Sequence, residues 1–209
     1  METLNFELSP NVSVAGLKIS GGADSALVAY ILSKYVAEQR PDVKIQPITV
    51  SHAGKSYQKE FSEKVIDFCR QQFGDIFLPH IHGWCDTGDQ YVSAQDDIVI
   101  QLYKNKKIQC HFIGITQNPP AEAMDEIGWN GPADDRSAGI IRPMKENNAY
   151  RLLINTNKRG VYKLYKHYNI LDTLFPLTRS CEAFTDNFNK HCGECWFCKE
   201  RYWGFGRYE

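Results

Sequence analysis

The sequence predicts an α/β fold: a doubly wound, mostly parallel sheet with helices on both faces and a small cysteine-rich module at the C-terminal end. Three observations predict it. Short apolar runs alternate with stretches of helical period along most of the 209 residues. A glycine corner, Ser20-Gly21-Gly22-Ala23-Asp24-Ser25, stands where the first run meets the first helical stretch. Four cysteines, Cys181, Cys192, Cys195 and Cys198, crowd the end of the chain.

In order, Val12 to Ile19 reads as a first strand and Asp24 to Glu38 as a helix, with Val28, Ile31, Leu32 and Tyr35 on one face. Lys44 to Ser51 reads as a second strand, in which Pro47, lacking an N–H, suits an edge or a bulge. Ser56 to Phe73 is amphipathic, with Phe61, Val65, Phe68, Cys69 and Phe73 on its apolar side. "DIFLPHIH" predicts a third strand, Ala94 to Lys106 a helix and "IQCHFIGIT" a fourth strand. Residues 118–149, rich in Gly, Pro and Asp, read as an irregular active-site insertion with a short helix at Ala121 to Ile127. An extended piece and a helix follow in "RLLINTNKRGVYKLYKHYNI". The organisation expected is a nucleotide-binding α/β domain over residues 1–175 with the cysteine module, 176–209, packed on it.

Net charge is −1, from 24 basic and 25 acidic residues, so composition carries no electrostatic footprint for nucleic acid, and no direct nucleic-acid binding is expected. No apolar run is long enough to span a bilayer, and the N-terminus lacks the pattern of a signal peptide. The expectation is a cytoplasmic protein without a membrane partner, whose seven cysteines stay reduced.

The glycine corner has the chemistry of a phosphate receptor. The first N–H groups of a helix have no partner within it, and the dipole adds positive charge there. Gly21 and Gly22 allow close approach of the backbone to a bulky anion. Ser20 and Ser25 add hydroxyls, and Asp24 serves as a cap or as a magnesium ligand. A capped turn is the plainer reading of Gly-Gly alone; the full S-G-G-x-D-S between strand and helix predicts phosphate binding. The Walker ending and the dinucleotide fingerprint are both absent.

The cysteines follow C-x10-C-x2-C-x2-C, a spacing able to close a tetrahedral zinc site. An iron–sulfur cluster and four unliganded thiols are the rival readings. Cys69 and Cys110 sit in apolar patterns and read as core; Cys85 stands apart.

The corner resembles the PP-loop of the ATP pyrophosphatases, whose shared step is adenylation with release of pyrophosphate. With the cysteine end, "LFPLTRSCEAF" and "HCGECWFCKERYWGF", the chain resembles the 7-cyano-7-deazaguanine synthase family. "NTNKRGVYKLYKHYNI" stands where that family has a Lys-led helix, and "SHAGKSYQKEFSEKVIDFC" where it has a Gly-centred turn and an acidic helix. The family's P-G-R-N and Y-P-D-C-R segments are absent from the middle of the chain. The resemblance implies an ATP-dependent ligase that joins ammonia to 7-carboxy-7-deazaguanine through an acyl adenylate, giving the amide or the nitrile. It implies ATP, magnesium and zinc as cofactors, and a homodimer. Ser20, Gly21, Gly22, Asp24 and Ser25 would hold the phosphates and magnesium, with Asp24, Ser25 and Lys158 as catalytic candidates. Lys158 reads equally as a solvated lysine opening a helix. The four cysteines would hold a structural zinc. The alternatives are another PP-loop enzyme, such as a tRNA sulfurtransferase or a ligase for a different acid, and a nucleotide-binding module without turnover.

Smaller signals read blandly. His80 and His82 alternate on one strand and could share a metal, but suit ordinary packing. Asp134 and Asp135 could bind magnesium, and Arg136 and Arg142 a substrate anion. "RYWGFGRYE" could stack a base, or pack the module onto the sheet.

Overall fold

A computed structural model describes residues 4, 6–131, 148–183 and 187–209. Asp134, Asp135, Arg136 and Arg142 lie outside the described residues. Five strands form one sheet in the order β3-β2-β1-β4-β5, every neighbouring pair parallel. The strands are β1 (Val14–Lys18), β2 (Lys44–Ser51), β3 (Ile81–Trp84), β4 (Cys110–Ile113) and β5 (Ala149–Tyr150). The helices between and after them are α1 (Ala23–Gln39), α2 (Gln58–Phe73), α3 (Tyr91–Lys104), α4 (Met124–Ile127), α5 (Lys158–His167) and α6 (Trp196–Phe205).

Both faces of the sheet are covered, as expected of a doubly wound fold. Ala15 and Leu17 of β1, and Ile19 just after it, join the main core with α1, α2 and α5. Alternation turns Gly16 and Lys18 to the other face. There Gly16 lies against Ile108 and His111, and Lys18 pairs with Asp96 of α3 at 2.5 Å. Ile48, Val99 and Ile108 form the smaller cluster on that side. The chain leaves β1 toward β2 on one side and returns beside it as β4 on the other. The C-terminal ends of β1 and β4 are therefore the switch point at which open α/β sheets bind ligands.

Two expectations need correction. Pro47 is not on an edge strand: β2 lies between β1 and β3. Its nitrogen faces a gap in the ladder. Ile45 exchanges hydrogen bonds with Ile76 and Leu78, pairing resumes at Ile48 opposite Ile81, and Gln46 Nε2 donates to Pro47 O and Pro79 O across the interval. The third strand accordingly spans only Ile81–Trp84, later than "DIFLPHIH" implied, and Phe77 contributes an isolated bridge to Ile45.

The C-terminal segment is anchored by two buried arginines. Arg201 donates to Phe175 O, Thr178 O, Tyr208 O and Ser180 Oγ and lies 3.8 Å from the Phe175 ring centroid. Phe205 stacks on that same ring at 4.1 Å. Gly204 lets α6 cross α5, since a Cβ there would stand 2.4 Å from Lys158 Cβ. Trp203 joins Trp196, Ala123 and Ile127 in a small cluster, while Tyr202 is exposed. Trp203 and Phe205 thus serve packing. Among the described residues no helix is long and apolar enough to cross a membrane.

Candidate functional site

The glycine corner sits at the C-terminal end of β1. Gly21 has φ +75°, and a Cβ there would come within 2.5 Å of Phe61 Cβ and 2.8 Å of Ser62 N, so only glycine fits between β1 and α2. Gly22 is the N-cap of α1 and supplies no side-chain cap. The first turn of this 17-residue helix therefore has no side-chain cap, and Gly22 N makes only a long contact of 3.5 Å to Ser20 Oγ. Ser25 Oγ donates to Gly22 O at 3.1 Å, accepts from Ser20 N at 3.2 Å and lies 3.2 Å from Ser20 Oγ. This ring of short contacts fixes the loop before any ligand arrives. Tyr165 Oη donates to Ala23 O at 2.8 Å and ties the first turn to α5.

Lys158 is not a solvated lysine. It opens α5, whose N-cap Asn157 accepts from Arg159 N and Gly160 N, yet only 5% of its surface is exposed. Its Nζ donates to Asp24 Oδ2 and lies 3.6 Å from Glu200 Oε2, and Thr116 Oγ1 donates to the same Asp24 oxygen at 3.4 Å. Asp24 Oδ1 is buried with no hydrogen-bond partner. One oxygen of Asp24 is thus occupied by a cation and a hydroxyl, and the other is left available to a cation ligand.

The four cysteine sulfurs lie within 4.8 Å of one another, from Cys181, Cys192, Cys195 and Cys198. Cys192 Sγ and Cys198 Sγ are 3.9 Å apart. Backbone N–H groups of Glu194 and Cys195 donate to Cys192 Sγ at 3.4 Å, and Cys192 N donates to Cys181 Sγ at 3.3 Å. The hydrogen bond from Cys198 pulls Cys195 down to about 5, and burial raises Cys181. Such N–H···S contacts favour thiolates, the form that binds a metal. The cluster could therefore hold a metal ion.

Sequence reasoning missed several residues here. Gly114, after β4, lies against the backbone of Asp24 and Ser25, where a Cβ would stand 2.7 Å from Ser25 N. Glu200, fully buried on α6, faces Lys158. Arg179, also buried, donates to Cys181 O, Ala183 O, Phe188 O and Lys190 O and so shapes the loop between the first two cysteines. Arg179 N donates to Gly21 O at 2.9 Å, joining the cysteine segment to the glycine corner. Charged residues flanking the cysteine knuckle, two positions before Cys181 and two after Cys198, were the available signal for Arg179 and Glu200. His80 and His82 each meet a hydroxyl of β2: His80 Nε2 lies 2.9 Å from Thr49 Oγ1 and His82 Nε2 lies 3.0 Å from Ser51 Oγ. Cys69, Cys85 and Cys110 are all buried. Burial pushes Cys69 and Cys110 up to about 12.

A parallel sheet with a glycine-led helix N-terminus at its switch point, next to a four-cysteine cluster, defines a doubly wound α/β protein with a candidate anion site. The U34-tRNA thiolase NcsA from Methanococcus maripaludis, solved with its [4Fe-4S] cluster, shares this fold with a TM-score of 0.52 and 19% sequence identity over 94% of this chain and 71% of that one. At that identity the likeness establishes the fold alone. No protein-family model and no curated protein matches the sequence.

Proposed function

We propose that this chain is an ATP-dependent adenylating ligase that activates a carboxylate at the end of β1 and passes it to ammonia. The acid is 7-carboxy-7-deazaguanine and the product is its amide or nitrile. The carrying observation is the meeting of Lys158 and Asp24 beside the uncapped N-terminus of α1, which puts an anion receptor, a carboxylate and a cation in one place. The choice of acid rests on the resemblance of the cysteine end.

In the reaction, a carboxylate oxygen of the acid bonds to the α-phosphorus of ATP and pyrophosphate leaves. Ammonia then displaces AMP from the acyl carbon, giving the amide and releasing a proton. The amide oxygen then bonds to the α-phosphorus of a second ATP, pyrophosphate leaves, and loss of AMP and of the two protons on nitrogen gives the nitrile. The N–H groups of Gly22 and the first turn of α1, with the hydroxyls of Ser20 and Ser25, receive the leaving pyrophosphate, where charge develops. Lys158 presents its ammonium to the reacting phosphate, positioned by Asp24, Thr116 and Glu200. Asp24 Oδ1 would hold magnesium, which supplies charge neutralisation on the phosphates.

The four thiolates would hold zinc. Zn–S bonds of about 2.3 Å in a tetrahedron space the sulfurs about 3.8 Å apart; Cys192 and Cys198 stand at 3.9 Å and all four sulfurs lie within 4.8 Å of one another. A four-iron cluster inserts a cube of iron and sulfide between its thiolates and holds them well beyond that spacing. With four protein thiolates no coordination position stays open, so the metal has a structural role.

The fold neighbour favours a second reading, tRNA thiolation. Thiol chemistry at the corner would need a reactive cysteine there. Cys110 begins β4, at the opposite end of the sheet, and Cys85 is buried with its thiol on Ser51 O and Thr87 O.

Incubation of metal-loaded protein with ATP, magnesium, ammonium and 7-carboxy-7-deazaguanine tests the proposal. Pyrophosphate release with a product mass equal to the amide or nitrile is expected. ATP cleavage absent with this acid, but present with a tRNA and a sulfur donor, would replace it by the second reading.

A further inference from the structure

On the face of the sheet opposite α1 lies a cavity of about 610 Å³ between α3 and strands β1, β4 and β5. Among the described residues its charge is one-sided: Lys18, Lys104 and Arg151 line it against one carboxylate, Asp96. Lys18 is 8% exposed, an unusual cost for a lysine inside a strand, and its one ion pair reaches a half-exposed Asp96. Arg151 Nη1 is buried without a hydrogen-bond partner. A guanidinium nitrogen left so is costly unless an acceptor reaches it. Between the two cations sits His111, with Tyr103 Oη 2.7 Å from its Nδ1. Burial first, then Lys18 and Arg151, hold His111 down at about 4, so it stays neutral and does not offset their charge. Val99, Ile100 and Ile113 supply apolar walls.

We propose that this cavity binds the acid substrate: a heteroaromatic monocarboxylate whose carboxylate meets Lys18 and Arg151 and whose ring lies along the apolar wall. The inference rests on the adenylating reading and deepens it. The cavity lies beside the phosphate loop in the fold. Lys18 precedes Ser20 by two residues, and Ile113 precedes Gly114, which packs on the backbone of Asp24 and Ser25. Cavity and phosphate loop therefore back onto the same two strand ends from opposite faces. A pyrophosphate held at α1 would leave away from a carboxylate approaching from the α3 side. The volume falls in the range of small-ligand pockets.

The test uses full-length, metal-loaded protein and 7-carboxy-7-deazaguanine as the probe, in calorimetry and steady-state kinetics. Arg151→Ala and Lys18→Met are expected to weaken acid binding at least tenfold while changing ATP affinity less than twofold. Ile100→Trp, which fills the cavity without removing a charge, is expected to raise KM for the acid by a similar factor. If the wild type converts the acid and all three variants bind it unchanged, the pocket assignment falls and the adenylating reading stands. If the wild type neither binds nor converts it, the reading falls and takes this assignment with it.

Discussion

Lys158 and Asp24, 134 positions apart, form an ion pair at the glycine corner, with Lys158 Nζ donating to Asp24 Oδ2 inside a pocket closed by Glu200. Lys158 opens α5, Asp24 lies in the first turn of α1 and Glu200 sits on α6, so three helices from distant parts of the chain converge on one ammonium group.

Removing the ammonium leaves two carboxylates facing each other with little solvent. Lys158→Met is expected to destabilise the fold by about 3–5 kcal/mol and to abolish pyrophosphate release. Adding Glu200→Gln should recover part of the stability but none of the turnover. Urea titrations of the single and double variants, with a pyrophosphate assay, check both halves. Full turnover in Lys158→Met would remove this residue from the mechanism.

Gly114 acts through contact with the phosphate loop and not through a positive φ. Gly114→Ala is expected to push Asp24 and Ser25 off position, weaken magnesium-ATP binding at least tenfold and leave the cysteine cluster's metal in place. Gly21→Ala adds backbone strain of about 1–3 kcal/mol to a clash with Phe61, and should lose both nucleotide binding and melting temperature. Calorimetry and metal analysis separate the two variants.

The cysteine cluster and the glycine corner are closely linked, since Arg179 N donates to Gly21 O and Cys181 lies two residues after Arg179. Cys181→Ser, or chelation of the metal, is expected to lower ATP affinity as well as melting temperature. Apo protein binding nucleotide as tightly as metal-loaded protein would show that the two sites are uncoupled.

His111 is neutral in the fold because burial, with Lys18 and Arg151 nearby, holds it at about 4, below its ordinary value near 6.5. Between these values the unfolded chain binds a proton that the folded chain does not. Stability is complete above about 6.5 and is lost as pH falls toward 4, by about 2–3 kcal/mol from this group. Chemical denaturation at pH 7.5, 6, 5 and 4.5 should follow that slope, and His111→Asn should flatten it. An unchanged slope in the variant would assign the acid sensitivity elsewhere.

Much of this molecule was legible along the chain. The period of apolar residues placed β1, α1, β2 and α2 to within two residues at each end, because each is local and each buries one regular face. The S-G-G-x-D-S corner and the cysteine spacing were readable because backbone conformation and chelate geometry act over a few residues. Pro47 misled, because whether a missing N–H matters depends on where the neighbouring strand pauses. Lys158 could be read either way, because its surroundings are supplied by Asp24, Thr116 and Glu200, which no spacing connects. The same holds for Gly114 and Arg179, whose work is done by contacts with elements far away in sequence. Local order was set by short-range periodicity and turn chemistry. Which charges meet, and at which sheet end, was decided only when the parallel sheet brought β1 beside β4 and laid α5 and α6 across the end of α1.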